Sequence, residues 1–321
     1  MAERPVVLVT GSAGLIGTRT VEVLSPDYRV IGLDVRRPAA LVPGTDFVAC
    51  DLSDGDSTER ALASLTRKRV ERIASVVHLA AYYDFSGEPS PLYEQLTVRG
   101  TERLLTGLQA HAVEQFVFSS TFLVHRPAQP GELLTEDSPV EPTWDYPQSK
   151  VDAEAVIARA RGAIPSVILR LAGVYTDDCR SIPVAQQIAR IHRMEIESYL
   201  FPGDPTRGQA FVHLDDAVDC IRRAVDRRGA LGAEECFLVA EPDVMSYAEL
   251  QDRIGELLHG KKWPTVRIPK VVARTGAWVD EKLGGASFVK PWMIDLADAH
   301  YAVDISRARA RLGWDPQHRL L

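Results

Sequence analysis

The segment Thr10-Gly11-Ser12-Ala13-Gly14-Leu15-Ile16-Gly17 decides the fold of this 321-residue chain. An apolar, β-branched run over residues 6–10 leads into its glycines and an amphipathic run over residues 15–24 follows, which predicts a strand, a turn and a helix. In that setting glycines let the backbone approach a pyrophosphate, whose negative charge the helix N-terminus favours. The spacing Gly-x-x-Gly-x-x-Gly departs from the more usual Gly-x-Gly-x-x-Gly. We predict a dinucleotide site, with a plain tight turn as the alternative.

Apolar runs and amphipathic runs alternate outward from this turn. Strands are predicted at residues 28–33, 47–50, 73–79, 116–119 and 166–171, and helices at residues 57–69, 92–111 and 149–161. Continuous apolar strands that are separated by helical crossovers are typical of a parallel sheet covered on both faces. The fold class is therefore predicted to be α/β.

The second half of the chain is less regular. Strands are predicted at residues 210–213 and 235–240, and helices from about residue 215 and at residues 246–258, 270–283 and 306–312. We expect two lobes that are interleaved in sequence. The dinucleotide-binding domain would span residues 1–172 with return segments at about 210–241, and a smaller substrate-binding lobe would span residues 173–209 and 242–321.

Composition excludes several classes of function. The 45% hydrophobic and 25% charged content is that of an ordinary globular protein, and the formal net charge of −7 provides no basic surface for nucleic acid. The N-terminal residues lack the pattern of a signal peptide, and no segment is apolar for long enough to span a bilayer. Four scattered cysteines fit a reducing compartment. We expect a cytoplasmic protein that binds neither membranes nor nucleic acid.

Tyr146 and Lys150 are spaced as Tyr-x-x-x-Lys, which places both side chains on one face of a helix. An unperturbed tyrosine has a pKa of about 10, so a nearby ammonium that favours the phenolate is what proton transfer at neutral pH requires. Lys150 could also bond a nicotinamide ribose. A chance spacing on an exposed helix is the alternative, but together with the glycine turn the pair predicts proton and hydride chemistry on a nicotinamide dinucleotide.

Asp34 ends the second predicted strand, where a carboxylate can accept hydrogen bonds from the adenosine ribose hydroxyls and repel a 2′-phosphate. This position favours NAD over NADP. Arg36 and Arg37 leave the alternative open, because a guanidinium there could accept the phosphate instead. Asp51 follows the third predicted strand and could meet the adenine amino group or simply form a turn.

These motifs, in this order, resemble the extended short-chain dehydrogenase/reductases, also called the NAD-dependent epimerase/dehydratase family. The resemblance covers nearly the whole chain and includes His-Leu-Ala-Ala at 78–81, Val-Arg-Gly-Thr at 98–101, Phe-Ser-Ser-Thr at 118–121, and the segments 170–175, 211–216 and 312–316. It implies a Rossmann-type doubly wound parallel sheet with a smaller, mostly α substrate-binding lobe. It also implies NAD as cofactor, a small-molecule substrate and, by analogy, a homodimer.

The resemblance further implies a catalytic triad of Thr121, Tyr146 and Lys150, with no metal site. Beyond Tyr146 and Lys150, the residues that it places against the cofactor are Gly11, Ala13, Gly14, Leu15, Ile16, Gly17, Asp34, Val35, Arg36, Asp51, Leu52, Leu79, Ala80, Ala81, Ser119, Leu171 and Ala172.

Three departures from the family pattern bear on the substrate. One is that Pro147 follows Tyr146 while Tyr82-Tyr83-Asp84-Phe85 adds aromatic surface near the expected pocket. Family members that act on nucleotide sugars usually carry an asparagine where this chain has Gly173, and the sugar dehydratases follow their threonine with Asp-Glu where this chain has Phe122 and Leu123. We therefore favour an NAD-dependent oxidoreductase acting on a secondary alcohol or ketone. A nucleotide-sugar epimerase that uses bound NAD is the alternative, and a non-catalytic dinucleotide sensor is a third hypothesis.

Overall fold

Twelve strands occur within residues 4–84, 86–275 and 291–320, which this computed structural model describes. They are β1 (Val6–Thr10), β2 (Arg29–Asp34), β3 (Asp46–Ala49), β4 (Arg72–His78), β5 (Ala112–Val113), β6 (Phe116–Thr121), β7 (Ser166–Leu171), β8 (Gly173–Tyr175), β9 (Leu200–Phe201), β10 (Phe211–His213), β11 (Glu234–Val239) and β12 (Val266–Arg267).

The main sheet has the order β11-β7-β6-β4-β1-β2-β3, with β5 beside β4, and all of its pairs are parallel. The chain runs outward from β1 to β3 and then returns to place β4 on the other side of β1. The strand order therefore reverses between β1 and β4. In open α/β sheets this switch point is where the carboxyl ends of the strands form a ligand crevice.

The helices between these strands are α1 (Leu15–Leu24), α2 (Gly55–Arg67), α3 (Arg99–Leu108), α4 (Asp145–Ala160), α5 (Ile182–His192), α6 (Leu214–Asp226), α7 (Tyr247–His259), α8 (Pro291–Asp295) and α9 (Ser306–Leu312). A π-helical segment, Tyr93–Val98, precedes α3. Short 3₁₀ segments lie at Phe122–Val124, Ile196–Tyr199, Arg228–Ala230 and Leu296–Asp298. None of the helices in the described ranges is long and apolar enough to cross a membrane.

Two hydrophobic cores cover the two faces of the main sheet. In β1, Val7 and Val9 face the core that contains side chains of α1, α6 and α9, whereas Leu8 faces the core that contains those of α2, α3 and α4. This alternation is the period of two that a strand imposes on its side chains. Every residue of β1 is buried, which explains its unbroken apolar sequence. The doubly wound parallel sheet expected from the sequence is confirmed.

A smaller core joins α5 and α7 beside the main sheet. Trp263 is 2% exposed, stacks on Tyr199 with ring centroids 4.7 Å apart, and donates to the Ser198 carbonyl. The helix α7 begins with a capping box in which Ser246 and Glu249 satisfy each other's backbone N–H groups. Two short parallel pairs, β8 with β10 and β9 with β12, connect this region to the sheet edge.

Most predicted element boundaries fall within two residues of the observed ones, and the exceptions have identifiable causes. The helix α4 begins at Asp145, four residues before its predicted start, because Pro147 falls in the first turn, where a missing N–H costs no hydrogen bond. The single helix predicted at 92–111 is divided into the π-helical segment and α3. The helix predicted at 270–283 is present over residues 270–275, and the rest of it lies outside the described residues.

Trp314 follows α9 and is fully buried in the core beneath α6, where its indole N–H donates to the Asp216 carbonyl at 2.9 Å. We predict that Trp314→Ala lowers the free energy of unfolding by about 3–5 kcal/mol, because it leaves a cavity and an unpaired carbonyl. Leu257→Ala is the control, since Leu257 is 74% exposed and should change stability by less than about 0.5 kcal/mol. Chemical denaturation measures both, and equal effects would contradict the assignment of Trp314 to the core.

Candidate active site

The glycine turn between β1 and α1 has no room for side chains at two of its positions. Gly11 has a φ of +68°, in the left-handed region that other residues rarely adopt, and its N–H donates to the Leu33 carbonyl at 2.9 Å. A Cβ at Gly17 would lie 2.0 Å from the Gly11 carbonyl oxygen. The sequence therefore needs glycine here to bring the first turn of α1 against the end of β1.

The N-terminus of α1 fits a bound pyrophosphate. Gly14 is its N-cap residue and makes no side-chain cap, so the first N–H groups of α1 have no side-chain partner there. Gly14 and Gly17 both line the central cleft, which is where a phosphate group would lie. An uncapped helix N-terminus beside a cleft is a favourable place for an anion.

Asp34 lies beside this turn at the end of β2. Its two carboxylate oxygens accept hydrogen bonds from the backbone N–H groups of Ala13 and Arg36, each at 3.0 Å. The carboxylate is therefore fixed at the carboxyl end of β2, where a ribose would lie. The guanidinium of Arg37 is directed toward the Phe47 ring, 5.7 Å from its centroid.

The structure does not place every predicted cofactor residue in the cleft. Asp51 accepts from the backbone and side chain of Ser53, which is the turn-forming alternative, and the Leu52 side chain is only 3% exposed, in the core. Contact between Leu52 and a cofactor is thus restricted to its backbone. The predicted residues that line the cleft are Gly11, Gly14, Leu15, Ile16, Gly17, Leu79, Ala81, Ser119, Tyr146, Lys150, Leu171 and Ala172. Those outside it are Ala13, Asp34, Val35, Arg36, Asp51, Leu52 and Ala80.

His78, at the end of β4, has a structural role. Its Nδ1 lies 2.7 Å from the Thr10 hydroxyl and its Nε2 lies 2.9 Å from the Thr101 hydroxyl. Burial, together with the charge of Lys150, lowers the pKa of His78 to about 3. A neutral imidazole with both nitrogens bonded has no free lone pair for a ligand.

The three predicted catalytic residues converge at the carboxyl end of β6. Thr121 ends the strand, and Tyr146 lies in the first turn of α4, with both side chains lining the same cleft. One turn later, Lys150 donates to the Ser119 carbonyl at 2.7 Å. The Lys150 ammonium is 5.9 Å from the centroid of the Tyr146 ring. The triad implied by the sequence is therefore assembled in one place.

Burial drives the two ionisable members of the triad toward their neutral forms. It raises the pKa of Tyr146 well above the ordinary value, although the bond to Thr121 opposes this change. It also lowers the pKa of Lys150 to about 7, with the charge of Glu154 opposing. Desolvation is the largest effect on both groups, and the ammonium donates to the Ser119 carbonyl. Tyr146 is thus a protonated phenol at neutral pH. That Lys150 favours the phenolate stays a prediction.

An aromatic wall accounts for part of this burial. The Tyr83 ring meets the Tyr146 ring edge-on with centroids 4.8 Å apart, and the Trp144 ring lies 5.5 Å from Tyr146 on a tilted plane. These rings cover part of the Tyr146 ring, which remains partly exposed to the cleft. Removal of water strengthens the electrostatic interactions that a bound substrate makes there.

The cleft has a volume of about 1000 Å³ and continues from the triad into the smaller core region. Most of its lining there is apolar, and it includes the stacked pair Phe201 and Tyr247, with ring centroids 3.8 Å apart. Among the described lining residues the cations outnumber the acids, since Lys150 and three arginines face one glutamate. Those arginines are Arg180, Arg190 and Arg207, and the acid is Glu197. Sequence reasoning named only Arg207, as a residue facing the substrate lobe or alternatively a surface or hinge residue.

A buried ion pair behind the triad also escaped the sequence reasoning. Glu154 lies one turn beyond Lys150 on α4 and pairs with Arg170 on β7 at 2.7 Å. The two residues are distant in sequence, so only the spacing of Glu154 from Lys150 could have indicated it.

The fold and the site together define a nucleotide-dependent oxidoreductase of the extended short-chain dehydrogenase/reductase class. The model of the NAD dependent epimerase/dehydratase family matches residues 7–240, and the chain belongs to that family. This membership confirms the expected dependence on NAD.

Several relatives are similar along most of the chain. The UDP-glucose 4-epimerase of Vibrio cholerae is 29% identical over 98% of this chain and 92% of its own length. Short-chain dehydrogenase/reductase family 42E member 1 of Danio rerio is 27% identical over 97% of this chain and 84% of its own length. The dTDP-glucose 4,6-dehydratase of Streptomyces griseus is 28% identical over 97% of this chain and 89% of its own length.

Solved structures support the fold. The UDP-glucose 4-epimerase of Thermus thermophilus, in complex with NAD, superposes with a TM-score of 0.72 at 23% identity, covering 98% of this chain and 95% of the other. At that identity the likeness establishes the architecture of the sheet and its helices.

Lys150 offers a test of the electrostatics of the site. The pKa of Lys150 is lower in the folded state than in the unfolded state, so the unfolded chain binds more protons between about pH 7 and pH 10.4. Burial of the charged lysine therefore destabilises the fold fully below about pH 7. This destabilisation decreases as the pH rises through that window. We predict that Lys150→Met raises the free energy of unfolding by about 2–4 kcal/mol at pH 6. The gain should disappear above about pH 10.5 as the unfolded lysine also becomes neutral.

Denaturation titrations at several pH values measure this effect. Lys261→Met, at an exposed position, is the matched control and should show no such pH dependence. A Lys150→Met variant that is less stable than the parent at pH 6 would contradict the desolvation that we assign to this site.

Proposed function

We propose that this chain is an oxidoreductase that uses NAD to interconvert a secondary alcohol and its ketone. The observation that carries this proposal is the convergence of Thr121, Tyr146 and Lys150 in the cleft that also contains the glycine turn. A phenol and a hydroxyl placed together at the carboxyl edge of a parallel sheet can bind one substrate oxygen between them.

The proton chemistry follows from the state of Tyr146. As a protonated phenol on the wall of the cleft, it can donate its proton to a substrate carbonyl oxygen that the Thr121 hydroxyl holds, and it can take the proton back in the reverse direction. Lys150, fixed by the Ser119 carbonyl, places a cation near the developing oxyanion when it is protonated. NAD supplies or accepts the hydride.

We propose that the glycine turn holds the pyrophosphate and that Asp34 meets the adenosine ribose. The uncapped start of α1 and the position of Asp34 beside Ala13 support this assignment. Leu171 and Ala172, which line the cleft after the triad, would border the nicotinamide.

The surroundings of Thr121 argue against elimination of water. The next residue, Phe122, is 2% exposed, and Leu123 is likewise apolar and packs against the core. The positions that would need an acid and a base beside the threonine therefore carry neither.

Gly173 supports an apolar substrate. A Cβ at this position would lie 3.1 Å from the Phe211 ring, so the ring occupies the space that a side chain at residue 173 would need. The cleft thus presents an aromatic surface where the nucleotide-sugar enzymes usually carry an amide. An apolar alcohol or ketone gains binding energy from such a lining.

A nucleotide-sugar epimerase is the second candidate, in which the same residues oxidise and then reduce one sugar carbon without net use of NAD. The three arginines in the cleft favour it, because guanidinium groups bind phosphate well. The relationship to the Vibrio cholerae epimerase adds support. An intact Thr121–Tyr146 pair beside Lys150 argues against a non-catalytic sensor, since a binding protein has no need of a poised phenol.

The two interleaved lobes with boundaries near residues 172, 209 and 241, the homodimer formed through α3 and α4, and residence in the cytoplasm stay predictions. The homodimer rests on analogy alone, and size-exclusion chromatography with light scattering would test it.

Tyr146→Phe tests the proposed role of the phenol. Because it removes only the hydroxyl that exchanges the proton, we predict a fall in kcat of about 10³-fold or more with NAD affinity changed by less than about threefold. Tyr199→Phe is the control, since Tyr199 packs on Trp263 away from the cleft and should retain activity. Steady-state kinetics and NAD titration measure the two quantities. Near-normal turnover by Tyr146→Phe would refute the mechanism.

A substrate panel separates the two candidate activities. We predict that the purified protein with NAD produces NADH from apolar secondary alcohols, measured by absorbance. The epimerase alternative predicts instead a changed UDP- or GDP-sugar without free NADH, measured by chromatography of the sugars. Turnover of nucleotide sugars alone would replace the first candidate with the second, and binding of NAD with no turnover would favour the sensor.

A further inference from the structure

The carboxylate of Glu154 connects the three elements that carry the active site. On α4 it lies one turn beyond Lys150. Its Oε1 accepts from the Ser120 hydroxyl of β6 at 2.5 Å and from Arg170 Nε of β7 at 3.2 Å. Its Oε2 accepts from Arg170 Nη2 at 2.7 Å. A bidentate guanidinium pair combined with a hydroxyl donor fixes the plane of the carboxylate.

The partners of Glu154 are themselves immobilised. Arg170 is 8% exposed, and its Nη1 donates to the Nε2 of His125 at 3.0 Å and to the Glu136 carbonyl at 3.1 Å. His125 is fixed in turn, because its Nδ1–H donates to the Ser138 carbonyl at 3.0 Å. Burial lowers the pKa of His125, so the neutral ring accepts from Arg170. Glu154 therefore bonds to a rigid support.

This support reaches the reacting groups through adjacent residues. Ser120 lies between Ser119, whose carbonyl accepts from Lys150, and Thr121, which lines the cleft with Tyr146. Arg170 directly precedes Leu171, which lines the cleft. The bonds of Glu154 to Ser120 and Arg170 thus hold α4 at the carboxyl ends of β6 and β7.

Stability alone does not explain a buried ion pair at this place. Desolvation of two charges often costs as much as their attraction gains, so well-packed apolar residues could hold the same elements together. The negative charge of Glu154 has a second effect that an apolar residue cannot reproduce. It stabilises the protonated form of Lys150, which lies one turn away on α4.

We propose that Glu154 is a positioning residue of the reaction, which holds Tyr146 and Lys150 against β6 and β7 and keeps Lys150 protonated. The inference rests on the proposed function, in which the Lys150 cation supports the developing oxyanion. It assigns Glu154 a role through Lys150 and not a contact with substrate.

The charges around Lys150 support this role. Burial lowers the pKa of Lys150 to about 7, and Glu154 is the group that opposes the change. Four further ionisable groups around this site are neutral near pH 7, since burial lowers the pKa of His78 on β4 and raises those of Tyr146 on α4, Tyr83 after β4 and Tyr93 on the π-helical segment. Arg170 on β7 stays charged and is neutralised by Glu154.

Glu154→Gln tests the proposal, because it keeps the shape and removes the charge. Without that charge Lys150 loses its proton at lower pH, so we predict that the alkaline limb of kcat moves down by about one pH unit. At pH 8 this corresponds to a fall in kcat of about tenfold. Glu154→Asp keeps the charge and should return the alkaline limb most of the way to its position in the parent enzyme. Asp152→Asn removes a carboxylate from the same helix and should leave the pH dependence of kcat unchanged.

A direct titration of Lys150 separates this proposal from the proposed function. NMR of protein labelled with 13Cε-lysine reports the Lys150 pKa without any turnover, and the Lys150→Met variant assigns the signal. A lowered Lys150 pKa in folded Glu154→Gln supports the proposal even when no substrate has been found. An unchanged Lys150 pKa, or a lower kcat with an unmoved pH profile, would overturn it and leave Glu154 with a structural role.

Discussion

Removal of water from the Tyr146–Lys150 pair is the constraint on which the rest of the site depends. Desolvation is the largest cause of the pKa shifts of both groups, since it raises the pKa of Tyr146 and lowers that of Lys150 to about 7. The surrounding groups oppose this effect one by one. Thr121 bonds the phenol, the Ser119 carbonyl binds the amine, and a negative charge lies one turn along α4. The result is a site in which Tyr146 remains a protonated phenol and Lys150 titrates near neutral pH.

The topology of the sheet brings these groups together. β1, β4, β6 and β7 are parallel neighbours, so their carboxyl ends share one edge, and the strand order reverses between β1 and β4. The glycine turn follows β1, the small residues that line the cleft follow β4 and β7, and Thr121 ends β6. One helix, α4, then supplies the phenol and the amine. The sheet aligns the glycine turn, the small cleft residues and Thr121 along one edge, so a single helix is enough to add the two remaining catalytic groups.

Local pattern predicted much of this arrangement. The strand, turn and helix over residues 6–24 could be predicted because glycine geometry and apolar periodicity are local properties, and Tyr146 and Lys150 because one helical turn separates them. The rest depends on contacts between distant residues. The Glu154–Arg170 pair joins α4 to β7, and the arginines of the cleft come from segments without regular periodicity. The desolvation of Tyr146 and Lys150 could not be predicted, because spacing reveals a neighbouring charge but not the burial of both groups.

Trp314 and α9 pack in the same core as β1, α1 and α6, although they lie near the opposite end of the described chain. The Asp216 carboxylate at the start of α6 also accepts backbone N–H groups from Gln317 and His318. Contacts between such distant residues are slow to form, because a long loop must close before they contribute. The nucleotide-binding half therefore remains incomplete on the ribosome until residues 306–318 have been synthesised, and during that interval one face of its sheet exposes apolar surface to which chaperones can bind.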